Sequence, residues 1–211
     1  MSEAHLTMGS HAAPAHSAPP MEDRPFAIPS KKLAMWLFIM ADIMTFAACV
    51  AAYAFLRNAT PDWPRPFHGV TSVAIMTFIM LTSSLTMLMA LTAAQAGDKA
   101  KAFNWMMITA VAGILFTLLH IREWMAMIQQ GVGLFHNPWG TAVFGASFYV
   151  ITGFSLLHIS GGTIALIIVD LRYRGGRYNA DDIEIVNLFW QFVGLVWLFI
   201  VPVVYLMNLA R

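Results

Sequence analysis

From its N-terminus the chain is polar and proline-rich for about thirty residues, then becomes apolar in five long runs separated by short polar breaks. The runs cover about residues 33–56, 70–94, 103–124, 141–169 and 185–209. Each exceeds the roughly 20 residues that a helix needs to cross ~30 Å of hydrocarbon. They are continuously apolar and lack the alternation of barrel strands. The breaks carry their own stop signals. NATPDWPRPFHG (58–69) holds three prolines, each fixing φ and removing a donor, QAGDKAK (95–101) is a turn, and QQGVGLFHNPWG (129–140) is punctuated by Gly and Pro. The fold predicted is all-α, an integral membrane bundle of five transmembrane helices. The fourth run is longer than a span requires, which predicts a tilt or a helix continuing past the membrane.

Residues 1–30 are rich in Ala, Pro, His and Ser and poor in large apolar side chains. Such a segment buries too little surface to offset its ordering entropy, and it lacks the basic and apolar regions of a secretory signal. It reads as a flexible tail ahead of a transmembrane domain over 31–211, with His5, His11 and His16 as solvated tail residues. Composition supports the membrane reading: 59% of residues are hydrophobic and 11% charged, against about 25% charged in soluble domains, and the mean hydropathy is +0.67. A single cysteine, Cys49, rules out an internal disulfide framework and any cysteine cluster of the chain's own. The net charge is +1 and the cations are scattered, so nothing points to nucleic acid. Arg24, Lys31, Lys32, Lys99, Lys101, Arg172, Arg174 and Arg177 fall on the side of the N-terminal tail; Arg57, Arg65, Arg122 and Arg211 fall on the other. The positive-inside rule then predicts a cytoplasmic N-terminus and an outside C-terminus.

Polar groups inside the runs are the candidates for chemistry, because an ionisable side chain in hydrocarbon costs at least ~2.5–3.5 kcal/mol and usually faces a partner or a cavity. Asp42 in WLFIMADIMTF fits a proton relay, a lipid-head contact or an interhelical hydrogen bond. His120 and Glu123 in FTLLHIREW share a helix face, which suits a metal pair with His158 as a third ligand, and equally suits hydrogen bonding, with Glu123 anchored by Arg122. Glu184, after Asp181 and Asp182, opens the fifth run, where carboxylates complement the helix dipole; Arg172 is placed to pair with Glu184 or with a lipid phosphate. Ser, Thr, Gly and Ala in TSSLTMLMALTAA and TGFSLLHISGGT predict close helix packing. The H-x-x-E order is not the H-E-x-x-H of zinc proteases. Neither a nucleophile with its base nor a phosphate loop is present. Three classes stay open: a non-catalytic subunit, a free-standing membrane metalloenzyme using His120, Glu123 and His158, and a transporter, the last lacking the internal repeat with interrupted spans.

FTLLHIREW, SFYVITGFSLLHISGGT and FWQFVGLVWLF, in that order, resemble subunit III of the haem-copper terminal oxidases, and WLFIMADIMTF resembles the segment where that family carries a buried acid. The resemblance covers about Lys31 to Tyr205 and matches the short five-span form of the bacterial plasma membrane. It implies a non-catalytic subunit without haem, copper or other metal of its own. Such a subunit packs beside subunit I, whose haem and copper reduce oxygen to water and pump protons, with subunit II and other subunits in the same complex. It implies bound phospholipid and a role in sustaining proton uptake. Asp42, Arg172 and Glu184 match lipid-binding or proton-related positions, His120, Glu123 and His158 a polar seam, and Trp190 and Trp197 contact positions of the last span. Three departures remove ionisable groups or change them: Ser155 and Gln191 stand where the family often has His, Gly194 where it has Asp, and Asp42 where Glu is commoner. They leave room for the branch that accompanies nitric-oxide reductases. The resemblance fits a cytochrome c or a quinol as electron donor.

Overall fold

The computed structural model describes residues 29–210. The tail reading for residues 1–28, with His5, His11 and His16, lies outside the described residues, as does Arg211. Five helices make up most of the rest: α1 Ser30–Ala59, α2 Thr71–Gln95, α3 Lys99–Gln129, α4 Ala142–Arg174 and α5 Ala180–Ile200. All five are long and apolar enough to cross a membrane. Several outrun their predicted spans, because polar residues such as Lys31, Lys99 and Arg172 continue the helix beyond the apolar run. With 33 residues, α4 is about 50 Å long at 1.5 Å per residue, so it extends well past a ~30 Å hydrocarbon layer.

Local chemistry fixes the helix ends. Asp98 caps α3 by accepting from the Lys101 amide at 3.1 Å, and that hydrogen bond holds its carboxyl below the usual range. Asn179 and Asp182 form a reciprocal capping box that starts α5. Gly97 and Gly176 adopt φ of +78° and +70° in the short turns before α3 and α5, a conformation open to glycine without penalty.

The fifth predicted span is not one continuous α-helix. After Ile200 the chain passes through a π-helical turn, Val201–Tyr205, and a short 3₁₀ turn, Leu206–Asn208. Pro202 is the physical reason: it has no N–H to donate, and its ring clashes with the carbonyl four residues earlier, so the α ladder cannot continue. The end of the chain then ties to the α1–α2 loop, with Phe67 N–H donating to the Asn208 carbonyl and Ala210 N–H to the Phe67 carbonyl.

Helices α2, α3, α4 and α5 form the bundle, and α1 lies outside it against α4 and α5. Trp190 and Trp197 of α5 are fully buried at its centre. Trp190 donates to Ser83 Oγ at 3.1 Å and Trp197 to Thr77 Oγ1 at 3.1 Å, both on α2. The small-residue reading holds at Gly162 of the fourth run, while Gly161 beside it meets nothing within 4 Å, and α3 adds a close approach of its own at Gly113. A methyl group on Gly113 of α3 would meet Trp190 at 2.8 Å and the Thr163 hydroxyl of α4 closer still, and one on Gly162 would meet Phe189 at 2.8 Å. Outside, large apolar side chains such as Met44, Phe78 and Leu157 are 66–72% exposed, a surface suited to hydrocarbon.

Candidate functional site

The seam between α1 and the bundle collects most of the polar groups singled out in the sequence. Asp42 on α1 and His158 on α4, 116 positions apart in the chain, are both buried and meet at 2.9 Å through Oδ2 and Nε2. Phe46, Phe154, Phe38 and Phe189 surround the imidazole, with ring centroids 4.5–6.4 Å away. His158 Nδ1 lies 2.8 Å from the Phe154 carbonyl. A carbonyl only accepts, so Nδ1 carries a proton and donates it. Nε2 then faces Asp42 in one of two ways: as imidazolium donating to carboxylate, or as neutral imidazole accepting from a carboxylic acid. Either way the contact holds one further proton and has no net charge, which is what a low-dielectric setting favours.

Two lysines fasten the same helix at its start. Lys31 Nζ donates to Asp182 Oδ1 at 2.8 Å, and Lys32 Nζ donates to Glu184 Oε1 at 2.7 Å. The predicted Arg172–Glu184 pair is therefore not made. Arg172 instead donates to the Tyr178 hydroxyl at 2.8 Å and lies over that ring, which Lys31 also approaches. Sequence reasoning used Lys31 and Lys32 only for orientation. Their position at the same membrane end as Asp182 and Glu184 was the signal that could have paired them. At the far end of α1, Asn208 donates to the Tyr53 hydroxyl, and Arg57 donates to the Met207 carbonyl at 2.7 Å.

Between these three fastenings the seam opens into two hollows. One, of about 470 Å³, lies beside Lys31, Met35, Phe38, Val169 and Tyr178. The other, of about 260 Å³, is lined mainly by apolar side chains, among them Cys49, Leu56, Val143 and Val150, with Tyr53 and Ser147.

The rest of the polar seam lies elsewhere. His120 is fully buried among Phe116, Trp124 and Trp197, and its ring nitrogens have no hydrogen-bond partner among the described residues. Glu123 forms no ion pair with Arg122; its carboxyl lies beside Ser72 and the Tyr205 hydroxyl. His158, held by Asp42, does not join this pair. Among the described residues no three His, Cys, Asp or Glu side chains are grouped to hold a metal ion. Tyr205, placed near Glu123 by the π-helical turn, was not legible as its neighbour; its hydroxyl and Glu123 Oε2 have no hydrogen-bond partner among the described residues. The departures are accommodated by packing. Gln191 donates to the Ser84 carbonyl and to Asn187, and Gly194 lets α5 approach Ser84 of α2, where a β-carbon would stand 3.0 Å from its hydroxyl. Ser155 is buried on α4, and its hydroxyl has no hydrogen-bond partner among the described residues.

The family model for cytochrome c oxidase subunit III matches residues 25–209, which takes in all five helices. Cytochrome c oxidase subunit 3 of Alkalihalophilus pseudofirmus is 31% identical over 186 residues, covering 86% of this chain and 88% of its own. Quinol oxidase subunit 3 of Bacillus subtilis is 31% identical over 205 residues, covering 95% and 98%. The cytochrome bo(3) ubiquinol oxidase subunit 3 of Pseudomonas aeruginosa is 32% identical over 178 residues, covering 82% and 83%. Five spanning helices together with these bacterial relatives make this a multi-pass protein of the bacterial plasma membrane. The expectation drawn from the ordered motifs holds: the chain belongs to the cytochrome c oxidase subunit III family.

Proposed function

We propose that the chain serves as the non-catalytic third subunit of a respiratory haem-copper oxidase, lying directly against subunit I, with subunit II in the same complex. Haem and copper belong to the partner, where oxygen is reduced to water. The observation that carries this reading is the family match running through all five helices rather than through one motif. Relatives named for cytochrome c and for quinol match equally well, at 31–32% identity, so the reading extends to either donor. The excess of Lys and Arg at the end of the bundle that holds Lys31, Lys99 and Arg172 supports a cytoplasmic N-terminus.

Within the complex, the α1 seam is the working part of this subunit. Its two hollows suit the acyl chains of a phospholipid, and Arg172 with Tyr178 suits the headgroup. The Asp42–His158 contact keeps α1 docked with a proton held between two helices, and Glu184 with Lys32 fixes the rim. Trp190 and Trp197 act as contacts within the bundle.

Isolation from native membranes in mild detergent, with a reduced-minus-oxidised spectrum and mass identification of companion chains, tests the assignment. Haem bands with a large catalytic subunit are expected. Companion chains of a nitric-oxide-reducing complex would move the subunit to that branch. A haem-free chain carrying stoichiometric metal would replace the reading with the metalloenzyme one. For the seam, Arg172→Ala and Asp42→Asn are expected to loosen bound lipid and shorten the oxidase's active lifetime more than they lower initial turnover; unchanged lipid and lifetime in both variants would refute the lipid role.

A further inference from the structure

A second basic hollow lies on the other flank of α4, away from the α1 seam. It is a cavity of about 420 Å³ between the start of α3 and the end of α4, lined by Lys99, Ala100, Phe103, Asn104 and Arg174. The Arg174 guanidinium lies over the Phe103 ring, 4.8 Å from its centroid, a cation–π contact that leaves its N–H donors for a ligand. Neither Lys99 nor Arg174 enters an ion pair among the described residues, while neighbouring Lys101 is already neutralised by Asp98 at 3.0 Å. The nearest acid along α4, Asp170, is buried at 1% exposure with its carboxyl oxygens unpartnered, so it does not close the Arg174 fork. Two exposed cations from two helices, Arg174 resting on Phe103 and Lys99 beside it, thus line one hollow with Asn104 at the basic end of the bundle.

The surface that continues from this hollow is apolar. From Asn104 the same face of α3 presents Ile108, Val111 and Leu115, and from Arg174 the same face of α4 presents Leu171, Ile168 and Ile164, all 45–60% exposed. A cationic pocket opening onto two apolar stripes has the shape of an amphiphile with one anionic head and two hydrocarbon tails. We infer that the hollow holds the phosphate of an anionic phospholipid, gripped by Arg174 and Lys99, with its chains along α3 and α4. Guanidinium forks match phosphate oxygens, and basic side chains at a membrane surface favour anionic over zwitterionic lipid. Arg172, only two residues away, is committed to Tyr178 on the other flank, so the two headgroup positions are separable. This inference rests on the chain spanning a membrane and is independent of the oxidase assignment.

The test uses the intact complex in nanodiscs of phosphatidylcholine with phosphatidylglycerol as the minor component, with retained lipid counted by native mass spectrometry. The wild-type complex is expected to retain phosphatidylglycerol in preference. Lys99→Ala and Arg174→Ala should each weaken that retention about fivefold, and the double variant roughly 25-fold, with Arg172→Ala leaving this lipid in place. Retention by the double variant equal to wild type would overturn the inference, as would equal retention of phosphatidylcholine. Inorganic phosphate at millimolar concentration serves as a second arm. If it displaces phosphatidylglycerol from the wild type, the site is a free-phosphate site and the lipid assignment fails.

Discussion

At position 42 a carboxyl sits inside an apolar run, and its cost is offset by one imidazole. Two magnitudes compete for what its loss would do. Interhelical hydrogen bonds in membranes average only ~0.6 kcal/mol, whereas a buried group left unsatisfied costs about 1–3 kcal/mol. Asp42→Asn retains a side-chain amide that can donate to a neutral His158 Nε2, so the smaller figure should govern. Asp42→Leu strands Nε2 among phenylalanines, so the larger figure should govern. The thermal midpoint at which the subunit leaves its complex is expected to fall in the order wild type, Asn, Leu; equal midpoints for Asn and Leu would show that hydrogen-bonding capacity at position 42 is irrelevant. Gly113 offers the opposite kind of change. A methyl there collides with Trp190 and Thr163, and overpacking of this kind costs typically about 1–3 kcal/mol. Gly113→Ala should lower the same midpoint, and Trp190→Phe should recover part of the loss by removing the ring atoms in the way. Additive losses in the double variant would place the clash elsewhere. Asp42 and His158 could each be picked out as ionisable residues in apolar runs. Their pairing could not, because 116 residues and two intervening helices separate them.

Helices were the most legible level. Five uninterrupted apolar runs longer than 20 residues leave little choice, and the proline and glycine breaks set where each one stops. What escaped was the change of helix type after Ile200, although Pro202 marked the place. The hydropathy of VPVVYLMNL continues smoothly across it, and hydropathy carries no information about hydrogen-bond register. The π-helical turn matters because it turns Tyr205 toward Glu123 and Asn208 toward Tyr53. Pro202→Ala restores a donor and permits the α ladder to run on, which rotates Asn208 away from Tyr53. The expected loss is that of one hydrogen bond, about 0.5–1.5 kcal/mol. A double-mutant cycle with Tyr53→Phe measures it: if Pro202 acts through this contact, the second substitution adds little. Full additivity would mean that the turn serves something other than the Asn208–Tyr53 contact.

At the scale of the molecule, α1 is an outrigger: it is the most exposed of the five helices, while α5 is the most enclosed. It is held at its start by Lys31 and Lys32, at its middle by Asp42, and at its end by Tyr53 and Arg57, with hollows in between. Losing the central contact leaves the two ends, ion pairs worth about 0–1 kcal/mol each when solvated and the hydrogen bonds of Tyr53 and Arg57, so the middle of the helix is free to open. The chain carries its own reporter of that opening, because its single cysteine, Cys49, lines the apolar hollow between α1 and α4. Weakening the central contact by 1–2 kcal/mol raises the open population by about 5–30-fold. In the assembled complex, Asp42→Leu is therefore expected to speed the reaction of Cys49 with a lipid-soluble maleimide by that factor. Lys31→Ala with Lys32→Ala should speed it by less, because those pairs are partly solvated. The order of the two effects decides what holds α1. A larger effect from the lysine pair would assign the docking of α1 to its rim, and an unchanged rate in both variants would mean that neighbouring subunits, rather than this seam, keep the helix in place.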